Sequence, residues 1–389
     1  MRECEEGAGG ETRRGRLVTQ DPVPRPASRL RRRWVKAVLA AAVVSVVGVA
    51  AVTADALSAP GSDPAVAKLA EWARDHGLGG VVTTLEAWRY AHDQPAEGGE
   101  PDGGIPLAAG ASGNGADAVP LTPLAGGPPL PGEGTWQVVA AIRGQPAVEV
   151  AYLRPDGSHT SFVVGVLRMD PALVRGQLRP GTRDPGGTWP EPTSLTGAQA
   201  GLVATFNGGF RLSDPSHPGY YSDGRNVTPL VDGQASLVLY RDGHADVGAW
   251  NRDVRMSRQV ASVRQNLVPL VGDGRVNPDC ATGGQREWGD TIGQAAYIDR
   301  SGFGVTADGH EVYVAGPALS VCTLGTILAD AGVVRGMELD INPNWVSGAY
   351  FTAGSTARPV GHRLYPREKV DPAHYFNLSS RDWFAWYMR

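Results

Sequence analysis

The first apolar pattern in the chain is an uninterrupted stretch near its N-terminus. From Ala37 to Ala54 no side chain is charged, and most residues are Ala or Val. About 18 such residues, extended by Trp34 and Val35, are enough to span a bilayer as a helix. Because the stretch has no amphipathic period, it indicates a membrane segment rather than a buried soluble helix.

The charges around this stretch predict its orientation. The basic residues before it are Arg29, Arg31, Arg32, Arg33 and Lys36, whereas Asp55 and Asp63 follow it. The positive-inside rule then places the N-terminus in the cytoplasm and the rest outside. The alternative is a signal peptide cleaved near Ala56. The long apolar run favours a single-pass anchor in the cell membrane, and cleavage would give a secreted protein.

The next segments differ in composition, and they divide the chain. Residues 1–33 form a predicted cytoplasmic basic tail and 34–57 the signal-anchor. In 58–92 a helix start at Ser62-Asp63-Pro64 predicts a short helical segment. Residues 93–134 consist largely of Gly, Pro, Ala and small polar residues, which is typical of a linker.

From residue 135 onward the pattern predicts strands and hairpins. Strand-like runs at 147–153 and 161–167 flank the turn Pro155–Ser158. Strand-like runs also flank the turns at Asp242-Gly243 and Asp308-Gly309. A helix is predicted over 323–331, with a returning strand at 333–339. We therefore expect residues 135–389 to form an α+β domain: a strand-dominated mixed sheet with hairpins and a few packed helices, after the transmembrane helix.

Composition and charge exclude one fold class and one class of partner. The 52 glycines and 30 prolines argue against a helical bundle. The chain has 36 basic and 40 acidic residues; 10 basic and 5 acidic lie in residues 1–36, which leaves 26 and 35 beyond, a net charge of −9. An acidic body argues against a nucleic-acid partner.

The cysteines predict one disulfide. Cys4 falls on the cytoplasmic side, so Cys280 and Cys322 are the pair in the oxidising compartment. No Cys-x-x-Cys and no paired histidines suggest a metal site, so no cofactor is expected, with a divalent cation as the remaining option.

Two clusters near the middle of the chain are candidates for binding. Asn207-Gly208-Gly209 follows an apolar strand, and its glycines would let the backbone approach a ligand; the alternative is a tight turn. Tyr221, Asp223 and Arg225 combine an aromatic ring, a carboxylate and a guanidinium, which suits a sugar or a phosphate; the alternative is an ordinary Asp-Gly turn.

Two later clusters could carry chemistry. Arg300 precedes a glycine-spaced strand and would point into a cleft or form a surface ion pair. Glu338, Asp340 and Asn342 alternate along one strand, so they should share a face at its end. Neighbouring carboxylates have their pKa values pushed apart, which lets one act as acid and the other as base. The alternative for this cluster is a solvated face.

The order of these clusters resembles the phosphodiester glycosidase family, that is, the N-acetylglucosamine-1-phosphodiester alpha-N-acetylglucosaminidase-like domain. Its pattern is an N-G-G-[FY] turn, a D-G-R-like turn, P-L-V-x-D-G, an arginine before G-x-x-x-D-G, a helix and L-D-G-G-G-S. Matching segments of this chain are, in order, Asn207–Phe210, Asp223–Arg225, Pro269–Gly274, Arg300 to Gly309, the helix at 323–331 and Leu339-Asp340. The resemblance covers about residues 136–389.

The chain departs from that pattern after the aspartate. The glycines of the family are replaced by Ile341-Asn342-Pro343-Asn344-Trp345. Pro343 stiffens the backbone and Trp345 fills space where glycines would leave room for substrate. Either the substrate differs from the family's or the activity is lost.

The resemblance implies an extracellular hydrolase that cleaves a sugar-1-phosphodiester in cell-envelope or exopolysaccharide material. In that interpretation Asp340 acts as base or electrostatic stabiliser with Glu338 assisting, and Arg300 and Arg225 hold the phosphate. The residues that contact the sugar or phosphate are Asn207, Gly208, Gly209, Tyr221, Asp223 and Asn342. The partners are then a carbohydrate or sugar-phosphate and the membrane. The alternatives are a non-catalytic envelope glycan-binding module, with Trp345 as a stacking platform, and a structural or assembly protein.

Overall fold

The computed structural model describes residues 27–113, 115, 119–197, 199–289, 296–353 and 358–389. The chain divides into two units, Met1–Asp55 and Ala56–Arg389. Helix α1 (Ala27–Leu57) contains a stretch, Arg32–Leu57, that is long and apolar enough to cross a membrane. Its hydrophobic side chains between Trp34 and Val49 are exposed. Residues 1–26 of the expected basic tail lie outside the described residues.

The second unit is built mostly from strands. Its helices are α2 (Ala65–Asp75), α3 (Gly79–His92), α4 (Gln285–Trp288) and α5 (Val321–Asp330), with 3₁₀ turns at Pro278–Ala281 and His374–Phe376. Its strands are β1 (Gln137–Ile142), β2 (Gln145–Leu153), β3 (Val164–Met169), β4 (Val174–Arg179), β5 (Leu202–Asn207), β6 (Tyr220–Ser222), β7 (Arg225–Thr228), β8 (Ala235–Tyr240), β9 (Ala245–Ala249), β10 (Val260–Gln265), β11 (Pro269–Gly272), β12 (Arg275–Val276), β13 (Ile298–Thr306), β14 (Glu311–Leu319), β15 (Val333–Glu338), β16 (Gly348–Thr352), β17 (Val360–Arg363) and β18 (Trp383–Met388).

These strands form three sheets, so the expected α+β, strand-dominated class is confirmed. The large sheet has the order β1-β2-β3-β14-β13-β15-β11-β12. The other two have the orders β7-β6-β10-β8-β9 and β17-β16-β5-β18-β4. The strand pairs within these sheets are antiparallel, which fits the hairpin signals of the sequence.

The Asp-Gly hairpins form where they were expected. Gly243 and Gly309 adopt φ values of 86° and 90° in the turns that join β8 to β9 and β13 to β14. Only glycine adopts such a conformation without strain, which explains the turn signal. The strand predicted over 333–339 ends at Glu338, one residue early.

The main core is an aromatic stack shared by the large sheet and the β5–β18 sheet. The ring of Phe206 lies 4.2 Å from Tyr313 and 4.6 Å from Trp386, measured between centroids. Phe303 and Phe384 complete the stack at 5.5 Å from Phe206. Offset aromatic pairs stabilise a core beyond their buried area. The stack also ties the end of β5 to β13 and β14, where the polar clusters lie.

The expected linker at 93–134 packs against the domain instead of standing apart from it. Its described residues form no helix or strand, but Ile105 and Leu121 are buried in the two largest hydrophobic clusters. Glu133 accepts two hydrogen bonds from the Arg154 guanidinium, at 2.8 and 3.0 Å. Composition marked the segment as irregular, but its few apolar residues are enough to fix its course.

Helix α5 covers the large sheet at the strands β13 and β15. The Ser320 hydroxyl caps its first turn by accepting the Thr323 N–H at 3.0 Å. Leu324 and Leu328 lie so close to Gly302 that a Cβ there would be 3.3 and 3.2 Å from them. A disulfide joins Cys322 of this helix to Cys280 across 42 positions.

Candidate functional site

Asn207 ends β5 and is anchored on every side of its amide. Its Oδ1 accepts hydrogen bonds from the Tyr313 hydroxyl at 2.8 Å and the Ser347 N–H at 3.0 Å. Its Nδ2 donates to Ser301 Oγ at 3.0 Å and to the Gly208 carbonyl at 2.7 Å. These four hydrogen bonds fix the buried amide in place. One of them holds the Gly208 carbonyl, so Asn207 also fixes the start of the glycine turn.

The two glycines are required by close backbone contacts. A Cβ on Gly208 would collide with the Asp382 carboxylate and carbonyl, and one on Gly209 would lie 3.1 Å from the Asn266 amide. The Gly208 N–H also donates to the Asp382 carbonyl at 3.1 Å. The Gly-Gly pair therefore lets the chain after β5 lie against the residues that precede β18.

Asp340 stands just beyond the end of β15, next to this turn. Its Oδ1 accepts the N–H groups of Ile341 at 2.8 Å and Asn342 at 3.0 Å. This Asx turn bends the chain out of the sheet. Burial raises the pKa of Asp340 above its ordinary value, and the Arg381 guanidinium and the two N–H groups offset part of the rise. The carboxylate is thus held close to a cation in a nearly dry environment.

Arg381 is the cation that faces Asp340. Its Nη2 lies 3.2 Å from Asp340 Oδ2 and 3.3 Å from the Gly209 carbonyl oxygen. Its guanidinium carbon is 4.9 Å from the ring centroid of Trp345, a cation–π contact. Trp345 therefore packs on the arginine of the site.

A second ion pair, between Arg264 and Asp382, lies next to the Asp340–Arg381 pair. The Arg264 guanidinium binds the Asp382 carboxylate through two hydrogen bonds of 2.8 and 3.1 Å, and both side chains are fully buried. Arg264 also donates to the carbonyl groups of Gln265 and Phe210. This paired fork holds Asp382 rigidly beneath Gly208.

These residues converge on one small pocket. Its walls include Asn207, Gly208, Gly209, Asp340, Trp345, His374, Arg381 and Asp382. The cavity volume is ≈ 10 Å³, which is room for about one water molecule. Three distant stretches of chain thus bring an acid group, a guanidinium and a glycine turn together, but a wall must move before a sugar can enter.

Arg300 and Glu338 form a buried pair outside this pocket. Nη1 of Arg300 lies 2.5 Å from Glu338 Oε1, and its Nε donates to the Leu319 carbonyl at 2.9 Å. Burial raises the pKa of Glu338; Arg300 opposes the rise and the charge of Asp340 adds to it. Arg300 shares a sheet face with Gly302, which α5 covers. Arg300 and Glu338 are therefore neighbours of Asp340 in the fold but do not line its pocket.

The Tyr221–Arg225 cluster lies elsewhere, at the edge of the five-stranded sheet β7-β6-β10-β8-β9. Tyr221 packs against that sheet's own hydrophobic cluster, and Asp223 sits in an exposed turn with φ 48°. The Arg225 guanidinium lies 3.9 Å from the Trp189 ring and donates to the Thr188 carbonyl. These three residues do not line the Asp340 pocket.

Asn342 shapes the turn beside the pocket. Its side-chain oxygen accepts the Asn344 N–H at 3.0 Å, and its backbone carbonyl accepts those of Trp345 and Val346 at 2.8 Å. Sharing a strand face with Glu338 and Asp340 was expected, but the Asx turn at Asp340 ends the alternation. Asn342 consequently directs Trp345 into the pocket wall.

The chain between α1 and β1 closes the rim of the site. Ser62 Oγ lies 2.9 Å from Nδ1 of the pocket residue His374, and Asp63 accepts the Ser380 N–H at 3.3 Å. Tyr90 of α3 packs on the hydrophobic cluster that contains Phe210 and Ile341.

An acidic pair anchors α2 to the same region. Glu71 and Asp75 form ion pairs with Arg211 at 3.3 and 3.1 Å. Arg183 binds Asp75 from the other side at 2.8 Å. Residues 62–92 thus contact the pocket margin at several points.

Among the described residues, no group of three or more His, Cys, Asp or Glu side chains is arranged to hold a metal ion.

Arg381 and Asp382 were not among the site residues expected from the sequence. They directly precede the aromatic strand Trp383–Met388. Adjacent charges of opposite sign before a buried strand are a weak signal, because the same pattern marks ordinary strand ends. Only the pairing of β18 with β5 brings them to the glycine turn.

Comparisons with known proteins give distant structural similarity. No family model and no curated protein matches the chain. The catalytic domain of zebrafish N-acetylglucosamine-1-phosphodiester alpha-N-acetylglucosaminidase, auto-inhibited by its pro-peptide, is 17% identical over 65% of this chain and 87% of that one, with a TM-score of 0.41. A hypothetical protein from Synechocystis is 12% identical over 64% of this chain and 63% of that one, with a TM-score of 0.34.

Proposed function

We propose that this protein is a membrane-anchored extracellular hydrolase that cleaves the glycosidic bond of a sugar-1-phosphodiester in envelope or exopolysaccharide material. The observation that carries the proposal is the pocket in which Asp340, Arg381 and the Gly208-Gly209 turn meet. The ordered motifs of the sequence support the same chemistry.

The reaction requires one group that stabilises positive charge on the sugar and one that binds the negatively charged phosphate. As the bond between the anomeric carbon and the phosphate oxygen breaks, positive charge develops on the sugar, which a carboxylate stabilises. Water adds to that carbon, and its proton passes to Asp340 or to solvent. The phosphate monoester leaves as an anion and needs no strong acid.

Arg381 takes the role that the sequence suggested for Arg300. Its Nη2 faces both Asp340 and the Gly209 carbonyl, so phosphate oxygens at this point would bind to a guanidinium already held by Trp345. Arg300 instead neutralises Glu338 inside the fold. A sugar-phosphate is larger than this cavity, so part of the pocket wall, which includes Trp345 and His374, must move when the substrate binds.

The test is hydrolysis of defined diesters by the full-length protein. The probes are methyl phosphodiesters at C1 of hexoses and N-acetylhexosamines, in both anomeric forms, with release of reducing sugar and methyl phosphate followed by NMR. Asp340→Asn should lower turnover by at least about 100-fold, the scale of a lost general base. Asp273→Asn is the matched control, because Asp273 lies in an exposed turn. No turnover of any diester, or an unchanged Asp340→Asn variant, would refute the proposal.

A non-catalytic glycan-binding role is the second candidate, and a larger groove favours it. This groove has a volume of ≈ 560 Å³, and its walls include Tyr152, Tyr350, His362 and Arg363. The imidazole and guanidinium groups of such a groove can form hydrogen bonds with a saccharide. Binding to purified wall polymer without product, weakened by Arg363→Ala but not by the exposed control Arg258→Ala, would support this role instead.

A further inference from the structure

Helix α3 carries an exposed apolar stripe. Leu78, Val81, Leu85 and Trp88 are 47%, 56%, 63% and 63% exposed. At 100° per residue, Val81, Leu85 and Trp88 fall within about 60° of the helix circumference. Scattered exposed apolar residues are ordinary on a protein surface, but a stripe of this kind marks a contact surface.

Glu86 and Tyr90, on the other side of α3, contact the rest of the domain, so the stripe points away from it. Glu86 accepts a hydrogen bond from Arg74 of α2 at 2.7 Å. Tyr90 lies about 180° around the helix from Val81 and packs on the cluster of Phe210 and Ile341. Helix α3 therefore contacts the domain through Glu86 and Tyr90 and presents the apolar stripe outward.

We propose that the outward stripe of α3 rests in the outer leaflet of the membrane that anchors the protein. The proposal rests on the membrane anchoring in the proposed function. It adds a second membrane contact, made by a helix that lies on the bilayer surface rather than across it.

Chain length is the first argument for a lipid surface. Only residues 58–64 separate the end of α1 from the start of α2, and 76–78 separate α2 from α3. The first connection spans at most about 30 Å even when fully extended. Covalent reach alone therefore limits the distance between the last residue of α1 and the first residue of α2.

The chemistry of the stripe is the second argument. The stripe contains no charged side chain, and its largest member is a tryptophan, whose amphipathic ring favours the interface between lipid and water. The His92 ring packs beside Trp88 at 4.7 Å between centroids. Arg89 follows Trp88 and forms an exposed ion pair with Asp93 at 3.4 Å. An exposed arginine beside such a stripe can reach lipid phosphates while its stem stays in the apolar region.

This contact would place the rim of the pocket close to the bilayer. Tyr90, on the same helix, packs beside the residues that flank Gly209 and Asp340. The inferred arrangement favours substrates attached to, or emerging from, the membrane surface over polymer far from it.

The experiment measures lipid exposure along α3 in the full-length protein. Cys4→Ser removes the remaining free thiol, and the Cys280–Cys322 disulfide is left oxidised. Nitroxide labels are placed at Leu85→Cys, at Thr83→Cys as the matched control, an exposed residue about 160° around the helix from Leu85, and at Val46→Cys in α1. The protein is reconstituted in nanodiscs of phosphatidylcholine and phosphatidylglycerol, and collision rates with oxygen and a nickel chelate are compared.

The expected result is a lipid-like label at position 85, with nickel accessibility several-fold lower and oxygen accessibility higher than at position 83. A water-like label at 85 with a lipid-like label at 46 would overturn the proposal while leaving the anchor intact. Water-like labels at both 46 and 85 would remove the anchor as well. Protection of 85 from both reagents would show a protein partner, which also contradicts a lipid contact.

Discussion

Glu338 and Asp340 stand two positions apart, and each faces an arginine, but the two ion pairs differ in what they can do. The Glu338–Arg300 pair is sealed between the large sheet and α5, with side chains 0% and 1% exposed. The Asp340–Arg381 pair forms part of a pocket wall, with side chains 7% and 10% exposed. The carboxylate on the strand is thus closed off inside the fold, whereas the carboxylate just past the strand end lines a pocket.

The largest expected effect concerns the sealed pair. Glu338→Leu leaves the Arg300 charge buried without its partner, and the free energy of unfolding should fall by about 3–5 kcal/mol in urea titrations. The double variant Arg300→Met/Glu338→Leu should recover most of that loss, because it removes both charges. A single variant as stable as the parent would show that the pair is not sealed.

A smaller effect on stability is expected at the Asp340–Arg381 pair. Asp340→Asn keeps an oxygen that can accept the Ile341 and Asn342 N–H groups, and it loses only the charge toward Arg381. Losing one charge-assisted interaction should cost about 1–3 kcal/mol. Combined with the large loss of turnover expected for this variant, that would separate function from folding. A stability loss equal to that of Glu338→Leu would erase the distinction between the pairs.

The pH dependence of turnover sharpens the comparison further. The pKa of Asp340 is already raised by burial, and Arg381 opposes that rise. Arg381→Gln removes the opposing charge, so the pKa should rise further. Since Asp340 acts in its ionised form, the acid limb of the kcat/KM profile should move to higher pH. Arg381→Lys, which keeps the charge, should move it less, and a shift toward lower pH would contradict the assignment.

The smallest effect is expected at the cluster that does not reach the pocket. Arg225→Ala removes a surface cation–π contact with Trp189 and a hydrogen bond to Thr188. The stability loss should be at most about 1 kcal/mol, and turnover should change less than twofold. A loss of turnover comparable with that of Asp340→Asn would place Arg225 in the active site after all.

Local patterns in the sequence predicted much of the fold. Asp-Gly turns between alternating strands predicted the hairpins, because a two-residue turn restricts the chain wherever it occurs. The same local logic misplaced Asn342, since the Asp340 side chain bends its own backbone and ends the strand. It also treated 93–134 as a free linker, although Ile105 and Leu121 find places in the core.

The sequence likewise predicted some residues of the candidate site and not others. Asn207 and Asp340 were singled out from residue type and spacing, and they do line one pocket. Arg225 was chosen on equally good local grounds and lies on another sheet. Arg381 was overlooked because an Arg-Asp pair before a strand has no distinctive spacing.

By itself, the sequence determined the apolar N-terminal helix, the strand-rich α+β class and the polar residues at the ends of β5 and β15, because these depend on short-range periodicity and turn chemistry. Only the tertiary structure decided which arginine faces which carboxylate. That choice depends on the pairing of β18 with β5 and of β15 with β13, which join residues 27 or more positions apart. Because these side chains are buried, each pairing affects the stability of the fold: a charge removed from water needs a partner of opposite charge within a few ångströms.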